Sequence, residues 1–216
     1  MRPDRTTKLL VEGEKDKRLI PWLMEANHIE WLKGQEPVDI VPVGGFDGLI
    51  DDDAVATYLK GSNTKAVGII FDADEPSDRR WTRLREACCR YETRNLPEVL
   101  PPEGLVVRSK FGPQLGFWMM PDNQSRGMLE TFLCYLVPEA GSALWNHAQA
   151  ATSSAKVSWR APFKERHLDK AEIYTWLAWQ DEPGCQLHEA VKHRILDPCS
   201  PFAQPFVAWF RRLFEL

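Results

Sequence analysis

The run Ala66-Val67-Gly68-Ile69-Ile70-Phe71, followed at once by Asp72-Ala73-Asp74, decides the architecture. It is apolar without alternation and rich in β-branched side chains. That composition reads as a strand covered on both faces, the kind found in parallel sheets sandwiched between helices. Upstream, residues 8–11 read as a short strand and 16–27 as an amphipathic helix with Leu19, Ile20, Leu23 and Met24 on one face. Residues 38–43 form a second strand, stopped by Gly44-Gly45, and 49–59 a helix. Downstream, 77–91 read as a charged helix carrying Trp81, Leu84 and Cys88, and 105–107 and 115–120 as two further strands. Strand–helix alternation predicts an α/β fold with a mostly parallel sheet and right-handed crossovers.

Beyond Met120 the pattern changes. Residues 128–137, 141–151, 170–179, 185–195 and 202–214 read as helices separated by proline or glycine breaks, and 152–170 as an irregular stretch rich in Lys and Arg. The expected organisation is an α/β core over residues 6–123 with a helical region, 124–216, packed on it. The tryptophans of the second half are expected to be core.

The 216 residues carry 27 Lys and Arg against 31 Asp and Glu, a formal charge of −4, which excludes a nucleic-acid coat protein with a basic surface throughout. A basic groove beside an acidic metal site remains compatible with that balance. The first residues hold only a short apolar run, and no stretch reaches about 18 apolar residues, so neither a signal peptide nor a membrane span is expected. The five cysteines are scattered, with no C-x-x-C pair, which reads as reduced thiols in the cytoplasm. His188 and His193 are five apart and fall on different helical faces, a poor zinc pair.

In parallel sheets, ligands gather beyond the carboxyl ends of the strands. The first strand runs into Glu12-Gly13-Glu14-Lys15-Asp16, and the strand at 66–71 runs into Asp72-Ala73-Asp74. If the two strands are neighbours, Glu12, Asp72 and Asp74 converge. Carboxylates so close repel by several kcal/mol unless a cation lies among them. A hard divalent ion with oxygen ligands, Mg²⁺ or Mn²⁺, is the natural occupant. The bland alternative makes Asp16 a first-turn helix carboxylate and Asp74 a turn residue before Pro76.

A strand ending in Glu-Gly, followed about 60 residues later by one ending in Asp-x-Asp, resembles the TOPRIM (topoisomerase–primase) superfamily. With Gly44-Gly45, Pro121-Asp122-Asn123, Gly127-Met128-Leu129-Glu130, Lys170-Ala171 and residues 175–179, the chain resembles a small bacterial TOPRIM-like family of undefined function over about residues 7–214. That family is similar to the TOPRIM domains of overcoming-lysogenization-defect nucleases. The resemblance implies metal-dependent hydrolysis of nucleic-acid phosphodiesters. It implies Glu12 as metal ligand or general acid/base, Asp72 and Asp74 as paired ligands, and Asp16 as a further ligand. Glu130 is implied as the downstream acid and a further metal ligand, with Asp122 and Asn123 orienting it or a bound water, and Lys170 as a cation for the phosphate; read alone, Glu130 is equally a first-turn helix glutamate and Lys170 a solvated helix-start lysine. No G-x-x-x-x-G-K-[ST] loop occurs, so the ATPase that such nucleases carry would be a separate partner.

Phosphate contacts need Lys and Arg. Arg79, Arg80, Arg83, Arg85, Arg90 and Arg94 crowd one segment, and Lys156, Arg160, Lys164, Arg166 and Lys170 another. The arginine segment also reads as a solvated helix face balanced by Asp78, Glu86 and Glu92. The residues also admit two rival functions: a catalytically silent TOPRIM module that binds nucleic acid or a partner protein, and a receiver-like phosphoacceptor.

Overall fold

A computed structural model describes residues 6–51, 54–73, 77–89 and 96–216. Its centre is a five-stranded sheet in the order β2-β1-β3-β5-β4, made of β1 (Thr7–Val11), β2 (Asp39–Pro42), β3 (Ala66–Asp72), β4 (Leu105–Arg108) and β5 (Gln114–Met120). The pairs β1–β2, β1–β3 and β3–β5 are parallel; only β4 runs antiparallel, beside β5. The predicted α/β class with a mostly parallel sheet is therefore the observed one. The apolar run occupies β3, the middle strand, where both faces are covered. Ala66 and Ile70 enter one buried cluster, and Val67, Ile69 and Phe71 the other.

The second face is covered by α2 (Phe46–Ile50), α3 (Ala54–Leu59) and α4 (Ser77–Cys88). The single helix expected over 49–59 is two, because Asp51 leaves the helical region at φ −56°, ψ 132°. The first face is covered by α1 (Glu14–Ala26) and by the second half: α5 (Leu129–Cys134), α6 (Ser142–Val157), α7 (Leu168–Leu177), α8 (Leu187–Lys192) and α9 (Gln204–Phe214). One core runs across residue 123, with Leu9, Leu19, Ile70 and Trp118 in the same cluster as Phe132, Ile173, Trp209 and Leu213. Trp118, Trp176 and Trp209 are buried there, whereas Trp159 lies 81% exposed.

The approach of α9 to the sheet depends on two glycines. Gly68 and Gly116 are partners across β3 and β5. A Cβ on Gly68 would stand 2.9 Å from Leu213 Cδ2, and one on Gly116 2.5 Å from the same atom. The pair forms a flat floor into which Leu213 settles. Part of the stretch expected to be irregular, 152–170, is regular: α6 continues to Val157 and a 3-10 turn covers Glu165–His167. The cause is tertiary, since Thr152 is buried and its hydroxyl meets that of Thr175 on α7 at 3.3 Å. Among the described residues no helix is long and apolar enough to cross a membrane. All five cysteines are free.

Candidate functional site

β1 and β3 are direct neighbours, so Glu12 and Asp72 come off adjacent strand ends. Gly45, at φ +106° in the glycine pair after β2, donates its N–H to the carbonyl of Glu12 at 2.8 Å and closes the turn around it. Glu12 Oε1 accepts the N–H of Asp72 at 2.8 Å and the Arg80 Nη1 at 2.8 Å. The same Arg80 nitrogen donates to the Asp72 carbonyl at 3.1 Å. Arg80 lies on the first turns of α4 and covers the Phe46 ring, 4.6 Å from its centroid. The arginine is thus clamped at the strand ends, and Arg83 is turned to Asp47 at 3.3 Å. Arg90 and Arg94 lie outside the described residues.

The second half joins the site through a bridge between Ala73 and Gly127. It sets the start of α5 against the end of β3, where Leu129 donates its N–H to Asp72 Oδ1 at 3.0 Å. A carboxylate at a helix N-terminus is stabilised by such an amide. Glu130, next in the chain, is 4% exposed and accepts from Lys15 Nζ at 2.9 Å and Lys170 Nζ at 3.1 Å. Lys170 is delivered by α7, whose start is tied to α5 through the Thr131 hydroxyl, which donates to Asp169 Oδ2 at 2.6 Å. Lys15 also donates to the Tyr174 hydroxyl at 3.0 Å. Burial pulls the Glu130 carboxyl upward, but the two lysines outweigh it and hold the group below the usual carboxylate range. Lys15 is in turn held above the ordinary lysine value: burial opposes its charge, and Tyr174 and Glu130 overcome that opposition.

Asp16 is the strained member. It reaches back to the Gly13 N–H at 3.1 Å and is 8% exposed. Burial pushes its carboxyl up to about 6, the Gly13 amide works against that, and Glu12 and Glu130 add to it as like charges. Glu12, Asp16, Asp72 and Glu130 are therefore joined through direct bonds and shared field, from three different segments. Asp74 lies outside the described residues. Among the described residues no three His, Cys, Asp or Glu groups form a ready metal cage. In kind, however, the donors fit a hard divalent ion: they are carboxylate oxygens, and the charge of one of them, Asp16, is disfavoured by burial and further by its acidic neighbours.

Two expectations are corrected. Among the described residues, Asp122 accepts from the Gln124 and Ser125 N–H groups and the Ser125 hydroxyl, within its own turn. Asn123 is buried at φ +66°, accepting from the Met119 N–H at 2.7 Å and donating to the Pro102 carbonyl at 3.1 Å. Neither bonds to Glu130; Asn123 fastens the β5 exit instead. The sequence pattern does not single out Lys15 or Arg80 as partners of the carboxylates. The available signal was positional: each lies in the first turns of a helix that follows a carboxylate-ended strand.

No curated protein sequence matches the chain. Among solved structures it is similar to the C-terminal region of the Burkholderia pseudomallei OLD protein, at 17% identity and a TM-score of 0.50. That match covers 98% of this chain and 99% of the other. A family model spans residues 6–215, so the chain belongs to the family described as a protein of unknown function, DUF3226.

Proposed function

We propose that this protein hydrolyses nucleic-acid phosphodiester bonds with Mg²⁺ or Mn²⁺ at the β1–β3 carboxylates. The observation that carries the reading is the linkage of Glu12, Asp72 and Glu130 at one end of the sheet, with Asp16 buried in the field of two of them. The fold shared with the OLD protein region and the TOPRIM resemblance support it. Glu12, Asp16 and Asp72, with Asp74, would hold the ion, and bound water and phosphate oxygens would fill its remaining positions. The metal would supply charge stabilisation and an acidified water.

The chain's own residues divide the other tasks. Glu130, kept ionised by its lysines, accepts a proton from an attacking water when phosphate oxygens draw Lys15 and Lys170 away. Glu12 is the second candidate for proton transfer. Lys170 and Lys15 then neutralise charge developing on the phosphate, a role suited to cations fixed in advance. A cytoplasmic setting suits five free thiols, and a separate ATPase partner belongs to the same proposal.

The test is cleavage of single- and double-stranded DNA and RNA with Mg²⁺ and with Mn²⁺, beside Glu12→Gln and Asp72→Asn. The expected loss is about 100-fold or more in each variant, with folding confirmed by thermal melting. Undiminished cleavage by both variants, or none by the wild type, overturns the reading. A silent binding module is the second reading, favoured by one observation: Lys15 and Lys170 both pair with Glu130. Wild-type binding of oligonucleotides with no cleavage under any metal would establish it.

A further inference from the structure

The most exposed large apolar side chains of the described residues lie at the end of α6 and just beyond it: Val157 is 78% and Trp159 81% exposed. They are held out by a built turn. Lys156 donates to the carbonyls of Ala161 and Phe163 and covers the Phe163 ring, 4.7 Å from its centroid. The Ala161 N–H closes on Ala155 at 2.9 Å, and Arg160 takes a positive φ of 54° within this turn. A non-glycine residue in that region costs free energy and persists only where its surroundings hold it. Lys156 is thus spent on the turn, while Arg160, Lys164 and Arg166, in the segment that follows Trp159, are exposed, and among the described residues none of the three has an ion-pair partner.

The same segment leads to the carboxylates. Arg166 and Arg126 line one cleft of about 190 Å³ with Gly127 and Met128, the residues just before Leu129 and Glu130. Four residues beyond Arg166, Lys170 touches Glu130. An exposed tryptophan followed in sequence by exposed cations offers a face for a base and charges for phosphates. A duplex keeps its bases stacked inside and cannot use the first. Apolar docking of a protein would make poor use of the second.

Resting on the nuclease reading for its endpoint, we infer that residues 157–170 form a track for single-stranded nucleic acid, in which an unpaired base stacks on Trp159 and Arg160, Lys164 and Arg166 carry the backbone towards Glu130. Binding to a fluorescent oligonucleotide in EDTA tests it without any cleavage, so its failure and that of the hydrolytic reading are told apart. Trp159→Ala is expected to weaken single-strand binding about tenfold, the loss of one base stack. Trp159→Phe should stay within about threefold of wild type, and duplex binding should be unmoved by either. The double variant Arg160→Asn/Lys164→Gln should lower the slope of log affinity against log salt by about 1.4, at about 0.7 per single-strand phosphate. No single-strand binding by the wild type, or equal losses on single strand and duplex, overturns the proposal. Unchanged oligonucleotide binding by Trp159→Ala also overturns it; loss of self-association in that variant would then make the patch a protein interface.

Discussion

Replacing Asp16 by asparagine asks whether the acidic cluster is electrostatically loaded. The Asp16 carboxyl ordinarily titrates at 3.8 and here at about 6, with burial as the main cause and Glu12 and Glu130 as contributors. At about 1.4 kcal/mol per tenfold change in acid constant, ionising Asp16 costs the folded state about 3 kcal/mol more than the unfolded one. An acid whose folded value is raised holds its proton more tightly when folded. The wild type therefore loses stability as pH climbs from 3.8 to about 6 and carries the full penalty above that. The Asp16→Asn variant would escape the penalty. Its amide oxygen can still accept the Gly13 N–H, and the extra strength that charge gives this bond is already contained in the shifted value, so the gain is about 3 kcal/mol. For a chain of this size the melting temperature should rise by about 6–12 °C at about pH 8, and far less at about pH 4. The assay is calorimetric or fluorescence melting in EDTA across that range. A variant that melts lower than wild type at about pH 8, by as much as at about pH 4, would show that Asp16 is only the capping partner of Gly13 and that the neighbouring acids do not load it.

Other perturbations follow from the same contacts. Lys15→Met and Lys170→Met should each be mild, because both lysines are partly exposed and the other one remains on Glu130. The double variant leaves a buried carboxylate unpaired and should cost more than the sum, by about 1–2 kcal/mol in a double-mutant cycle. Since Glu130 is held below its ordinary 4.5 when folded, that coupling is present above this value and is lost as pH falls through the depressed one; equal coupling at about pH 3 and about pH 7 would contradict it. Gly116→Ala should destabilise by about 1–3 kcal/mol in urea unfolding, as its Cβ would meet Leu213 at 2.5 Å, and a neutral result would mean α9 can slide on the sheet. Asn123→Ala should cost about 2 kcal/mol in stability by leaving the buried Met119 N–H without its acceptor; unaltered melting with lost cleavage would instead return Asn123 to the site.

Much of this protein was written in local pattern. An unalternating apolar run such as 66–71 can only satisfy burial on both faces at the middle of a sheet, and β3 is there. The period-3.6 spacing of Leu19, Ile20, Leu23 and Met24 marks the buried face of α1 for the same reason, that each side chain's direction is set by its position along the helix. Carboxylates placed at strand ends, Glu12 and Asp72, are legible because strand termini in a parallel sheet converge on one edge.

The tertiary structure alone decided who meets whom across the chain. Lys15 and Glu130 are separated by 115 residues, and Glu12 and Arg80 by 68; neither pairing leaves a trace in spacing, since each depends on how β1, β3 and α5 are brought together. The seating of Leu213 on Gly68 and Gly116, the continuation of α6 past Thr152, and the inward fastening of Asn123 have the same origin. Periodicity records which way a side chain faces along its own element. Partners across elements are chosen by packing and burial, which exist only once the chain has closed on itself.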